Sequence, residues 1–156
     1  MDEGHLEPAP TSLIERLWEE YWGLPIVSVD REYLPSDVEG LLWREGREAI
    51  GLVTWAVAGD QAEIVSLDAF VRGRRIGARL MEAAEAGLRS RGVRRLRVVT
   101  TNDNVRALGF YVRRGYRLVR LHLDAMNRVR ALKPAVSSVG TDGVPLRDMW
   151  ELEKDL

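Results

Sequence analysis

The sequence predicts an α/β (α+β) domain: a mixed, mostly antiparallel central sheet of about six to seven strands with helices on both faces. Three observations predict it. First, three consecutive strand-like runs, Val38 to Arg44, Ala49 to Ala58 and Glu63 to Val71, are parted only by turns at Glu45-Gly46-Arg47 and Gly59-Asp60. Runs spaced so closely form an antiparallel meander. Second, a helical run from Arg75 to Arg91 joins the last of these strands to another, Val93 to Thr100. Strands joined through a helix lie parallel, with a right-handed crossover. Third, helix and strand continue to alternate up to Leu152.

Each element has its own signal. Residues 1–11 read as a flexible N-terminal arm, and 12–156 as a single domain. Thr11 or Ser12 caps a helix running to about Trp22, with Leu13, Leu17 and Trp18 on one face and Gly23-Leu24-Pro25 as its stop. Ile26 to Asp30 alternates weakly and reads as the first strand, followed by the meander as strands two to four. In the helix after the meander, Ile76, Leu80, Ala83, Ala84, Gly87 and Leu88 recur at helical spacing, and Arg91-Gly92 ends it. The fifth strand puts Leu96, Val98 and Thr100 on one face. Thr101-Asn102-Asp103-Asn104 is a polar turn ending in a helix cap, and the helix Val105 to Arg114 stops at Gly115. Tyr116 to Leu123 is the sixth strand, Asp124 to Lys133 a helix closed by Pro134, and Asp148 to Leu152 a last, edge-like strand. The long excursion from Asp124 to Arg147 is rich in turn residues, the character of a lid or binding loop.

Composition excludes several classes. The chain has no cysteine, which removes disulfides, thiolate metal sites and a cysteine nucleophile. Its two histidines, His5 and His122, cannot build a histidine-rich metal site, so no metal is expected. No run approaches the roughly 18 apolar residues of a membrane span. The start, MDEGHLEPAP, lacks the basic and apolar regions of a signal peptide, and a cytoplasmic protein is expected. The net charge of −1 hides an asymmetry: residues 1–60 hold 13 acids and 4 bases, the remainder 11 acids and 19 bases. Nine arginines lie between Arg72 and Arg97. A basic half fits nucleic acid or a compact polyphosphate. The clustering around one loop and helix, beside an acidic first half that repels phosphate, favours the compact ligand and argues against a nucleic-acid partner.

That loop is Val71-Arg72-Gly73-Arg74-Arg75-Ile76-Gly77-Ala78-Arg79-Leu80, set between a strand and a helix. Unpaired N–H groups and the helix dipole make a helix start attractive to anions. Glycine lets the backbone come close and take positive φ. Strand, Arg/Gly loop and helix together form a pyrophosphate cradle.

This order and these motifs resemble the GNAT superfamily of acyl-CoA-dependent N-acyltransferases over nearly the whole chain, most strongly from Glu63 to Leu123. The family's phosphate loop reads [Arg/Gln]-x-x-Gly-x-[Gly/Ala]; Arg72 and Gly77 match its first and last positions, while Arg75 replaces the middle glycine. If the loop needs positive φ there, an arginine is strained. A second family motif, Asn-x-x-Ala-x-x-x-Tyr with a later Gly-aromatic pair, is met by Asn104, Ala107, Tyr111 and Gly115-Tyr116. The resemblance implies splayed parallel strands four and five with the pantetheine arm of acetyl-CoA between them, on the backbone of Leu67 and Ala69. It implies pyrophosphate on the N–H groups of Arg72, Gly73, Arg74, Arg75, Ile76, Gly77 and Ala78. A backbone N–H near Ala69 or Phe70 would polarise the thioester carbonyl. Tyr111 would protonate the departing thiolate. Asn104 would contact pantetheine, cap its helix, or do both. Glu63 stands where the protein-acetylating branch keeps its general base; Asp68 and Asp103 are further candidates.

Trp43 and Trp55 read as core or as lining of the acceptor pocket, Trp18 and Trp22 as packing, and His122 as a structural strand residue. The resulting expectation is acetyl transfer from acetyl-CoA to a primary amine, of a small molecule or a protein, by direct attack in a ternary complex. The enzyme would be a monomer or homodimer with no membrane partner. The acidic first half points to a cationic acceptor. The alternative is a non-catalytic CoA-binding module on the same fold.

Overall fold

The computed structural model describes residues 4–156. The expected arm covered 1–11, of which Met1, Asp2 and Glu3 lie outside the described residues. The elements, in order, are β1 (His5–Pro8), α1 (Thr11–Tyr21), β2 (Ile26–Val27), β3 (Glu32–Tyr33), β4 (Glu39–Glu45), β5 (Glu48–Ala58), β6 (Gln61–Ala69), α2 (Ile76–Ser90), β7 (Arg95–Thr101), α3 (Val105–Arg113), β8 (Arg117–His122), α4 (Met126–Leu132) and β9 (Met149–Asp155). The fold is mixed α/β, with an open, mostly antiparallel seven-stranded sheet in the order β1-β4-β5-β6-β7-β9-β8 and one parallel pair. The chain divides into two compact units. One holds the chain up to Ile26, Glu32–Leu96 and Leu156; the other holds Val27–Arg31 and Arg97–Asp155.

In the first unit, His5–Pro8 is not a loose arm but a strand on β4, with His5 opposite Arg44 and Pro8 opposite Leu41. Because the chain enters α1 from this strand, Pro10 takes the N-cap position. Neither Thr11 nor Ser12 caps the helix, and no side chain does. Proline suits a helix entrance, where a missing N–H costs nothing. Gly23 stops the helix as expected, with φ +73° and its N–H on the Trp18 carbonyl at 2.8 Å.

The meander β4-β5-β6 forms as expected, turning at Gly46 and Gly59, both at positive φ. One face of β5 carries Leu52 into a core with Ile14, Leu17, Trp18, Tyr33 and Leu42. The opposite face carries Gly51 under α2. A Cβ there would sit 2.4 Å from Ile76 Cγ2, so the missing side chain is what lets α2 lie close. Helices therefore flank both faces of this part of the sheet.

In the second unit, β9 is not the edge expected of the last strand. It lies inside the sheet order, its Glu151 and Leu152 are buried, and β8 is the edge. Two other placements depart from expectation. β2 is only Ile26–Val27, and α4 begins at Met126 rather than Asp124. Asp124 instead takes positive φ, while its N–H bonds the Asp148 carboxylate at 2.8 Å. Met126, Val129 and Met149 form the unit's core with Val99, Val136 and Leu146.

The excursion after α4 is tied down. The Asn102 side-chain Oδ1 accepts the N–H groups of Arg147 and Asp148, both at 3.0 Å, and its Nδ2 donates to the Pro145 carbonyl at 2.9 Å. Asp103 accepts the Thr141 N–H at 2.9 Å and the Thr101 hydroxyl at 2.5 Å. Gly140 passes so close that a Cβ would meet the Asp103 carboxylate at 2.2 Å. Partial burial raises the pKa of Asp103, but these hydrogen bonds outweigh it and hold the carboxyl below its ordinary range. A depressed carboxyl stabilises the fold above its ordinary pKa and loses that contribution as pH falls through the folded-state value. The protection of the Thr141 amide, the slowing of its exchange relative to a free peptide at the same pH, should therefore stay high at neutral pH and fall below about pH 4. Asp103→Asn should remove that acid dependence, and an unchanged acid profile in this variant would contradict the clamp.

Candidate active site

β6 sends three polar side chains to the α1 face: Glu63, Ser66 and Asp68. Their spacing is uneven because the ladder with β5 shifts register, Thr54 pairing with Ser66 and Trp55 with Ile64. That bulge at Val65 brings Glu63 and Ser66 to the same side. Each of the three meets an aromatic donor. The Tyr33 hydroxyl donates to Glu63 Oε1 at 3.0 Å, and Trp18 Nε1 donates to Ser66 Oγ at 3.0 Å. Trp22 Nε1 reaches both Asp68 oxygens, at 3.0 and 3.2 Å. Ser66 also shares a 2.7 Å bond with Thr54. Trp18 is completely buried and packs, as expected. Trp22 is 44% exposed, so its contact with Asp68 lies open to solvent. Burial pushes the Asp68 carboxyl above its ordinary range, and the Trp22 hydrogen bond only partly opposes this. Beside it, the rings of Tyr21 and Phe70 stack with centroids 4.7 Å apart.

The sequence reading missed Trp22 and Tyr33 as partners of the two carboxylates. A signal was present: Trp18 and Trp22 are one helical turn apart, which places both indoles on one face of α1.

The backbone of β6 is sorted by its ladder. In antiparallel pairing the N–H and C=O of one residue face the neighbour and those of the next face away. The Phe70 N–H donates to the Ile50 carbonyl at 2.9 Å, and the Asp68 carbonyl lies beside Gly51. The peptide groups of Leu67 and Ala69 therefore point away from β5. Of the two N–H groups expected near the thioester, that of Phe70 is already committed to β5.

The loop from Arg72 to Ala78 leads from this strand into α2. Gly73 takes φ +77°, with open space where a Cβ would be. Arg75 takes φ +55° and ψ +29°, the left-handed conformation that the missing glycine made an issue. For a residue with a side chain this costs roughly 1–2 kcal/mol. Arg75 is also the N-cap residue, and no side chain caps α2. The first intrahelical bond is Arg79 N–H to the Arg75 carbonyl at 3.0 Å, which leaves Ile76, Gly77 and Ala78 as the helix's opening donors. Arg74 forks onto the Glu45 carboxylate, one arm at 2.6 Å, and Arg79 lies over the Trp43 ring at 5.1 Å. The side chains of Arg72 and Arg75 make no hydrogen bond or ion pair among the described residues. Trp43 and Trp55 are buried on the α2 face of the meander, opposite to the face that carries Glu63 and Asp68.

In the second unit, Tyr111 is buried on α3, its ring edge-on to Tyr116 at 5.4 Å and to Phe110 at 5.2 Å. Asn104 is the N-cap of α3 and accepts the Ala107 N–H at 3.1 Å, so its capping role is real. Asp103, clamped to Thr141, is spent on structure. His122 bonds the buried Glu151 at 2.8 Å, the strand role expected of it. Among the described residues no cluster of histidine and carboxylate is placed to hold a metal, and no helix is long and apolar enough to cross a membrane.

Comparison with known proteins fits this arrangement. Residues 8–116 match the acetyltransferase (GNAT) family. The chain is 34% identical to the Bacillus subtilis protein YxbD over 149 residues, covering 94% of each chain. It is 32% identical to YdhI of the same organism over 131 residues, covering 83% of this chain and 82% of the other. Among solved structures, an IAA acetyltransferase from Bacillus cereus superposes with a TM-score of 0.77 at 19% identity, covering 99% of this chain and 100% of that one. A GNAT family acetyltransferase from Elizabethkingia anophelis, with acetyl-CoA bound, gives 0.75 at 16% identity, covering all of both chains. At such identities the structural likeness is one of fold, while the family match and the Bacillus relatives rest on sequence. The chain belongs to the acetyltransferase (GNAT) family and is an acyltransferase enzyme.

Proposed function

We propose that this enzyme moves an acetyl group from acetyl-CoA to a primary amine, of a small molecule or a protein, by direct attack in a ternary complex. The observation that carries the reading is the loop before α2. Two positive-φ residues, Gly73 and Arg75, turn the chain so that the uncapped N–H groups of Ile76, Gly77 and Ala78 open the helix. Such a nest of donors at a helix start, beside the unengaged guanidinium groups of Arg72 and Arg75, suits a pyrophosphate. A strained Arg75 at the turn is reasonable if its charge serves the ligand. The relative from Elizabethkingia anophelis, described with acetyl-CoA bound, supports the same donor.

In this reading, the outward peptide groups of Leu67 and Ala69 hydrogen-bond the amides of pantetheine. The Ala69 N–H is then the donor left to polarise the thioester carbonyl, since that of Phe70 is taken. The acceptor's ammonium loses a proton to Glu63 or Asp68, and the neutral amine attacks the carbonyl carbon. The C–S bond breaks as the thiolate takes a proton, with Tyr111 as its source. Of the two carboxylates, Asp68 has the raised proton affinity that suits a base. Asn104 adds a contact to pantetheine from the helix it caps. The acceptor is cationic before transfer, in keeping with the acids of the first 60 residues.

Two variants test this. Arg72→Ala combined with Arg75→Gly should weaken CoA binding on the order of tenfold or more, the scale of one lost charge-assisted hydrogen bond. In thermal denaturation, Arg75→Gly should be more stable than Arg75→Ala by about 1 kcal/mol, because glycine accepts positive φ freely. Calorimetry that finds undiminished CoA affinity in the double variant would remove the loop from the site. Tyr111→Phe should bind acetyl-CoA normally but transfer acetyl about 10²-fold more slowly. Full turnover in that variant would leave Tyr111 as packing alone.

A further inference from the structure

Asp68 is a carboxylate without a counter-ion. Among the described residues no lysine, arginine or histidine pairs with it, and its one hydrogen-bond donor is the Trp22 indole, bifurcated to both oxygens. Burial without a cation is the reason its carboxyl holds its proton too firmly. The surroundings are aromatic and partly open. Trp22 is 44% and Tyr21 54% exposed, and Tyr21 stacks on Phe70, two residues along the chain from Asp68. Large aromatic rings left in solvent beside a half-buried, uncompensated carboxylate are costly unless something covers them. An organic cation satisfies both demands, its ammonium meeting the carboxylate and its stem lying against the rings.

We infer that Asp68, Trp22 and the stacked Tyr21–Phe70 pair form the seat of the acceptor, and that they select a primary ammonium carried on an apolar stem. The inference rests on the acyl-transfer reading for the identity of its occupant, though not for the geometry of the seat. Trp22 is the positioning residue: its N–H spans both oxygens and fixes the plane of the carboxylate. An ammonium proton held against an Asp68 oxygen can pass to it, leaving a neutral amine nitrogen with its lone pair free and a neutral carboxylic acid. Glu19 and Glu20, exposed on the last turn of α1, add long-range negative charge to the same helix.

The Trp22 indole N–H reports on Asp68 directly. Its proton resonance, assigned by its loss in Trp22→Phe, should shift with pH as Asp68 ionises, and Asp68→Asn should abolish that titration. Phenethylamine as the probe should lower the midpoint by about one pH unit, because a bound cation favours the carboxylate. Its neutral isostere 2-phenylethanol should leave the midpoint where it was. An unmoved midpoint with phenethylamine, or equal movement with both probes, would overturn the inference. CoA added to the same sample separates the two readings. If CoA binds and phenethylamine has no effect, the seat fails alone. If CoA does not bind while the midpoint still moves with the amine, the acyl-transfer reading fails and the ammonium site stands.

Discussion

The pairing of β5 with β6 governs the rest of the site. One hydrogen bond, from the Phe70 N–H to the Ile50 carbonyl, sets the phase of the strand. It turns the peptide groups of Leu67 and Ala69 away from β5. The bulge at Val65 then decides which side chains of β6 face α1. A slip of one residue would exchange the faces, sending Ser66 and Asp68 to the α2 side and burying the wrong peptide edge. The same strand launches the arginine-rich loop, so the position of that loop also follows from this register.

The loop before α2 carries a backbone strain that the proposed binding of an anion would account for. A glycine at position 75 would take the left-handed turn at little cost, yet the chain keeps an arginine there at φ +55°. Arg74, one residue earlier, is held by Glu45 at the end of β4. In the proposed reading, Arg72 and the strained Arg75 are the loop arginines that meet the ligand. Strain at a helix entrance, in a segment otherwise supported by Gly51 and the close seat of α2, is the expected form of a site whose charge matters more than its backbone comfort.

Much of this was legible in the sequence, and the misses have physical causes. The meander, the crossover helix and the helix after Asn104 follow from turn residues and apolar periodicity, which are local properties. The β1 strand was missed because His-Leu-Glu-Pro carries no strand signal of its own; it is a strand only because β4 offers it an edge. The place of β9 was missed for a similar reason, since strand order depends on partners far along the chain. At the site, the departure from the family's loop pattern at Arg75 marked the residue that takes positive φ. The roles of Trp22 and Tyr33 were hidden because hydrogen bonds between α1, β3 and β6 join positions 30 to 48 residues apart. Asp103 looked like a base and is a clamp, a distinction that only its Thr141 partner reveals.

The central proposal is that the peptide groups of Leu67 and Ala69, which face away from β5, and the N–H groups at the start of α2 bind the acyl donor. Residue-resolved hydrogen exchange with and without saturating CoA tests it most directly. Slowed exchange is expected at the amides of Leu67, Ala69, Ile76, Gly77 and Ala78, with the Phe70 amide, already bonded to β5, left unchanged. Slowing at Phe70 without Ala69, or none at residues 76–78 under saturating CoA, would contradict the account.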